Sequence, residues 1–284
     1  MYLRLLFIIL FSCLVYALPV RSDDTCSVPR KNRECIISQK ILTDWIRSDT
    51  LPTVIDLRGD STYRNLSAQN AIALTPSAVK GKKHVHDKPT LLLDEPYALR
   101  QPLQLCQSLR ALGNPNVFVL DEGLYSWKQA GGKFQGLLKS LPQIRKISPR
   151  DLIIESSYTP WAVLHLRSQA EKALKSLLPP GTTIETVDLS PQTDRDTQLL
   201  TDTLANAIRS IRKRQIRVPI AIVSSLPNEA EHNLHKALQS LYRTKKLFLL
   251  DGGSQGLRDF VKKQALIVSS YLKQQMGPQC KKRR

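Results

Sequence analysis

The residues of this chain that could do chemistry gather in two loops. Glu95-Pro96-Tyr97-Ala98-Leu99-Arg100 and Ser225-Leu226-Pro227-Asn228-Glu229-Ala230 each begin 26 residues before an aspartate, Asp121 and Asp251 respectively. A carboxylate at Glu95 accepts protons and hydrogen bonds, whereas a hydroxyl at Ser225 becomes a nucleophile only beside a base. His232 and His235 stand on the helix expected after Ser225 but point away from its start, so Ser225 reads as a turn or helix-capping serine. His84 and His86 alternate in a lysine-rich loop, and His232 and His235 could share a helix face. Two ligands are too few for a closed metal site, and both pairs read as solvent-exposed. Cys106 shares an apolar helical face with Leu99, Leu103 and Leu109, the pattern of a buried core cysteine. The residues alone assign no catalytic group, no metal ligand and no cofactor.

Each loop needs a strand before it and a helix after it. Thr90 to Asp94 is a strong apolar strand, and Leu99, Leu103, Cys106 and Leu109 keep a helical period up to Gly113. Pro219 to Ser224 and Asn228 to Tyr242 repeat that pair. Downstream, Asn116 to Phe134 reads NVFVLDEGLYSWKQAGGKF. Val117 to Leu120 form a short buried strand, Asp121-Glu122-Gly123 breaks it, Leu124 and Trp127 fall on one helical face, and Gly131-Gly132 ends the helix. Leu247 to Phe260, LFLLDGGSQGLRDF, is a second copy containing Asp251, Gly252 and Gly253, with Leu257 where Trp127 stood.

The upstream elements also recur. Ile37 to Arg47 is helical with Ser38 as a cap, and Thr53 to Arg58 is a buried strand ending in a charged pair. Asp60 or Ser61 caps a short helix around Tyr63, and Ala71 to Leu74 is another strand. Ile147 to Leu152 resembles the stretch from Ile37, and Trp161 to Arg167 resembles Val54 to Arg58 with His165 in the place of Asp56. Thr183 to Leu189 is a strand, followed by a long helix from about Pro191 to Lys213. The alternation predicts an α/β protein of two domains, about 37–140 and 145–268, each a mostly parallel central sheet flanked by helices. Residues 23–36 form a cysteine-containing N-terminal segment, and 269–284 a basic tail ending Lys281-Lys282-Arg283-Arg284.

Charge and cysteines bound the setting. The 42 Lys+Arg against 24 Asp+Glu give a formal net charge of +18, which favours anionic partners. No basic stripe carries interleaved aromatics, so there is no nucleic-acid motif. Residues 1–22 carry Arg4, an apolar run from Leu5 to Val20 and a plausible cleavage point near Ser22, the pattern of a secretory signal peptide. The run is shorter than the ~20 residues of a spanning helix, which weighs against an uncleaved anchor. Bulky Phe11 weighs against reading Leu10-Phe11-Ser12-Cys13 as a lipobox. The expected product is exported, periplasmic or secreted, with no transmembrane segment after signal removal. Its even cysteine count, Cys26, Cys35, Cys106 and Cys280, permits disulfides. Cys26 and Cys35 are the expected pair because they are close in sequence. Cys106 with Cys280 is the leftover possibility, and a free buried Cys106 the alternative. Asn65-Leu66-Ser67 fits a glycosylation sequon, which matters only in a eukaryotic secretory host.

Three stretches together, VIDLR at Val54 to Arg58, NLSAQNAIALTP at Asn65 to Pro76, and NVFVLDEGLYSWKQAGG, resemble a rhodanese (sulfurtransferase) domain, and the second half resembles a degenerate copy. Asp121, Gly123, Trp127, Ala130 and Gly131 match the family's closing motif, with Glu122 replacing a glycine. Asp56 and Arg58 match its Asp-x-Arg strand end. The resemblance implies a sulfur-carrying cysteine in the loop after the central strand, where amides and a helix N-terminus stabilise the thiolate. Here Glu95 and Ser225 take that position and Arg100 keeps the family arginine, while Pro96 removes an amide donor. The family reaction is therefore not expected. The expectation is an exported binding or scaffolding module with an unknown protein partner. The alternatives are a sulfurtransferase using Cys106 or a terminal cysteine, and a basic module for an anionic envelope component.

Overall fold

The computed structural model describes residues 34–81, 88–142, 144–167, 174–190, 193, 196–214, 218–226, 228–241 and 246–276. The segment expected to be a signal peptide, Cys26, His84, His86, Cys280 and residues 277–284 of the expected basic tail lie outside the described residues, whereas 269–276 continue the last helix.

The first unit runs α1 (Gln39–Arg47), β1 (Thr53–Asp56), α2 (Asp60–Asn65), β2 (Leu66–Ala68), β3 (Ile72–Ala73), α3 (Pro76–Gly81), β4 (Thr90–Leu93), α4 (Arg100–Ala111), β5 (Val117–Val119), α5 (Leu124–Gln129) and β6 (Phe134–Gly136). The second runs β7 (Lys146–Ile147), α6 (Pro149–Ser156), β8 (Ala162–Arg167), β9 (Thr183–Asp188), α7 (Thr197–Arg214), β10 (Ile220–Ser224), α8 (Asn228–Leu241), β11 (Leu247–Leu250) and α9 (Gly253–Met276). A four-stranded sheet ordered β3-β1-β4-β5 and a five-stranded sheet ordered β7-β11-β10-β8-β9 are parallel throughout. Ile36 bridges Val119 in parallel at the edge of the first sheet, the place β7 takes beside β11 in the second. The two units thus share one strand order.

Register makes the repeat specific. Asp56 stands opposite Leu93 at the end of β1–β4, and His165 opposite Val223 at the matching step of β8–β10. The helix starts repeat too. Ser38 Oγ accepts the amide of Ile41, and Ser148 Oγ that of Asp151.

Both sheets are covered on two faces, so their central strands are apolar throughout. Alternate residues of β4 point into different cores. Leu91 and Leu93 pack with Val54, Leu42 and Trp127, and Leu92 packs with Ile55, Leu103 and Cys106. In the second sheet, Leu164 and Ile222 meet α7 and α8 through Leu204 and Leu234, while Val163 and Val223 meet Trp161, Leu152 and Leu257.

Three local expectations change. The short helix around Tyr63 is capped by Gly59 rather than Asp60 or Ser61. The long helix starts at Thr197 because the Asp196 carboxylate accepts the amides of Gln198 and Leu199 and caps it there. Beyond the two main sheets, β2 and β6 pair antiparallel, an element too short to leave a periodic signal.

Candidate functional site

In both units the loop after the central strand meets the turn after the next one. A Cβ on Gly123 would collide with the Asp94 carbonyl oxygen, and a Cβ on Gly253 with that of Ser224. Both glycines have positive φ, +53° and +54°. Glu122 also sits in the left-handed region, at φ 64°, where Gly252 stands at φ 70° in the second unit. Its side chain is anchored by a buried ion pair with Arg145 at 2.8 Å. Trp127 is buried, donates from Nε1 to the Lys133 carbonyl at 2.8 Å, and has Gly132 against its ring.

Asp56 and Arg58 face each other as a bidentate pair. Arg58 Nε reaches Asp56 Oδ1 at 3.0 Å, and Nη2 reaches both Asp56 Oδ2 and the Leu66 carbonyl at 2.7 Å. Asp121 pairs with Lys246 of the second unit at 2.7 Å, and Asp251 pairs with Lys146 of its own unit at 3.4 Å.

The first loop opens onto a cavity of about 380 Å³, lined among others by Arg58, Asp94, Glu95, Tyr97, Tyr125 and Arg145. Arg58 and Arg145 spend their charge on Asp56 and Glu122, and Arg145 also stacks over Tyr125 at 4.2 Å. Among the described residues, Asp94 and Glu95 make no ion pair. Burial pushes the Asp94 carboxyl up to about 7, partly opposed by the Glu95 amide it accepts at 2.8 Å. Burial also raises Glu95, with Arg58 opposing and Asp56 and Asp151 adding to the rise. Burial pushes the Tyr125 hydroxyl up to about 12. Lys146 also lines the cavity and pairs with Asp251, so Asp94 and Glu95 are the lining charges without an ion-pair partner among the described residues.

The helix behind this loop is already occupied at its positive end. The amides of Leu99 and Arg100, which open α4, donate to Glu155 Oε2 of α6 at 3.2 and 3.3 Å. Tyr97 donates its hydroxyl to Asp151 Oδ2 at 3.1 Å. The side chain of Arg100 is exposed, and its backbone amide makes the contact. Glu155, Asp151, Tyr97, Asp94 and Arg145 were not singled out from the sequence. All but Asp94, which bonds the Glu95 amide of its own loop, act across the junction of the two units, where periodicity carries no signal.

A stability consequence follows from Asp94. Between its ordinary value of 3.8 and about 7, the folded carboxyl keeps a proton that the unfolded chain releases. Stability therefore falls as pH rises through that window. Asp94→Asn retains the acceptor for the Glu95 amide and removes the ionisation. It is expected to stabilise the protein by about 2 kcal/mol at about pH 8 and by almost nothing near about pH 4. Urea midpoints of both proteins across that range check this. A gap that does not widen with pH counts against it.

In the second unit, Ser225 follows β10 and its amide donates to the Leu166 carbonyl at 3.0 Å. Its Oγ lies 3.2 Å from His165 Nε2 and donates to Ser254 Oγ at 2.7 Å. The reading of Ser225 as a turn or capping serine thus misses its side chain, because the neighbouring histidine comes from β8 rather than from α8. The Asp56-to-His165 exchange was the signal available in the sequence. Among the described residues, no three His, Cys, Asp or Glu are gathered to hold a metal ion.

The cysteine pairing is corrected. Cys35 is bonded to Cys106, not to Cys26, and Cys106 is neither a free core thiol nor a partner of Cys280. Ile36 joins the sheet beside β5, and that edge position carries Cys35 onto α4.

No sequence-family profile and no curated protein matches the chain. Similar solved structures include a rhodanese-like domain from Anabaena sp., 22% identical with a TM-score of 0.31, over 38% of this chain and 83% of that one. A thiosulfate sulfurtransferase from Pseudomonas aeruginosa is 15% identical with a TM-score of 0.31, over 78% of this chain and 42% of that one. A protein from Bacillus halodurans is 18% identical with a TM-score of 0.32, over 37% of this chain and 80% of that one.

Proposed function

We propose that the chain is an exported tandem rhodanese-like binding protein without sulfur-transfer activity. Its first cavity would take a partner's amine or guanidinium group. The observation that carries this reading is the pair of carboxyls, Asp94 and Glu95, on a cavity whose arginines are already neutralised. A side-chain-sized cation fits the volume, whereas an anion would meet Glu95 and find the helix end held by Glu155. The Cys35–Cys106 disulfide ties up Cys106, one of the thiols an alternative sulfurtransferase reading could use, and it supports an oxidising compartment.

Purified protein treated with thiosulfate and then cyanide is expected to yield no thiocyanate and no cyanide-labile sulfur. Turnover lost on Cys106→Ser would overturn the reading. Calorimetric titration with arginine amide is expected to show binding at about pH 8 that weakens about tenfold in Glu95→Gln, roughly 1.4 kcal/mol. The competing reading, an anionic envelope partner, rests on the net charge of +18. It predicts instead binding to anionic polymer that collapses with salt and ignores Glu95→Gln.

A further inference from the structure

The two loop positions differ between the units in a coordinated way. In the first unit they hold two carboxyl side chains, Asp56 and Glu95, and burial raises Glu95, with Asp56 adding to the rise. In the second unit the same register positions hold His165 and Ser225, 3.2 Å apart. We propose that Ser225 is a nucleophile with His165 as its base, and that the second unit carries an acyl-transfer site for carboxylic esters.

The placement suits this chemistry. Ser225 sits at the carboxyl end of β10, the central strand of the five-stranded parallel sheet, where α/β proteins bind ligands. It is only partly buried, while His165 is 3% exposed and held inside the sheet. The 14-residue helix α8 begins at Asn228, three residues after the nucleophile in the chain. Ser254 is buried and accepts the Ser225 hydroxyl in the resting arrangement, and Arg258 Nη2 donates to Ser254 Oγ at 3.3 Å. Rotation about the Ser225 Cβ–Oγ bond turns the hydroxyl proton from Ser254 to His165 Nε2.

Ser225 Oγ then bonds to the ester carbonyl carbon as its proton passes to His165 Nε2. The carbon–alkoxy bond breaks, and the departing alkoxide takes that proton and leaves as an alcohol. Water attacks the acyl-serine in the second half. It gives one proton to Nε2, which returns it to Ser225 Oγ as the acid departs. Ester and water become acid and alcohol, and no oxidant or cofactor enters.

The full chain treated with a biotinylated fluorophosphonate is expected to form one phosphonyl adduct at Ser225, with loss of fluoride, located by mass spectrometry of tryptic peptides. Ser225→Ala should form none. His165→Gln, with its folding checked by circular dichroism, should label about 100-fold more slowly or worse, as removal of a general base requires. Hydrolysis of p-nitrophenyl acetate should fall in parallel. A wild-type protein whose Ser225 stays unlabelled beside a labelled serine esterase overturns the proposal without relying on any variant. Equal labelling rates in folded His165→Gln overturn it as well.

Discussion

Arg58→Met is expected to destabilise the first unit by about 3–5 kcal/mol, the usual effect of leaving a buried charge unpaired. The Asp56 side chain is 0% exposed, and Arg58 at 6% is its counterion. The guanidinium also donates to the Leu66 carbonyl at the start of β2, so its loss leaves a second acceptor unsatisfied. Methionine fills much of the space but carries no donor. The measurement is urea unfolding followed by tryptophan fluorescence, since Trp45 and Trp127 report the first unit. The decisive comparison is the double variant Asp56→Asn with Arg58→Met. The second unit places a neutral-capable side chain, His165, at the same register position, so the fold does not require a carboxylate there. The double variant should recover most of the loss. If both proteins unfold at the same midpoint, the pair is a packing element rather than an electrostatic one.

That comparison marks how far the sequence could be read. The repeat was legible because parallel strands buried on both faces leave continuous apolar runs, as in Leu91–Leu93 and Leu247–Leu250. The equal spacing of Glu95 and Ser225 from Asp121 and Asp251 then aligned the two loops. What surrounds those loops was not legible. Glu155 reaches the amides of Leu99 and Arg100 only because α6 packs across the junction between units. His165 meets Ser225 only because β8 and β10 are neighbours in the sheet although 60 residues lie between the two side chains. Local propensity fixes elements; it does not state which faces of distant elements share a site. Glu122 shows the same limit in reverse. It appeared as a departure from a glycine pattern, and the structure gives it a partner, Arg145, that holds it in a left-handed conformation.

The cysteines make the point energetically. Proximity in sequence favoured Cys26 with Cys35, yet Cys35 is joined to Cys106 across a separation of 71 residues. Parallel addition of Ile36 beside Val119, fixed by the Ile37 amide on the Val119 carbonyl at 3.1 Å and the Val119 amide on the Cys35 carbonyl at 2.7 Å, places Cys35 beside Cys106. A cross-link of that span restricts the unfolded chain far more than a short one does, and loop-closure entropy puts its contribution at about 4 kcal/mol. Reduction, or Cys106→Ser, is therefore expected to lower first-unit stability by about that amount. The second unit should respond little, because neither cysteine packs in its cores. Trp161 reports that unit separately. Non-reducing peptide mapping checks the connectivity directly, with one disulfide-linked peptide expected to contain Cys35 and Cys106. A Cys26–Cys35 peptide in its place, with no Cys106–Cys280 peptide beside it, would leave Cys106 a free thiol. It would also reopen the sulfur chemistry that the bond now closes, since a thiol beside Val117 in the first core would again need to be tested as a sulfur carrier.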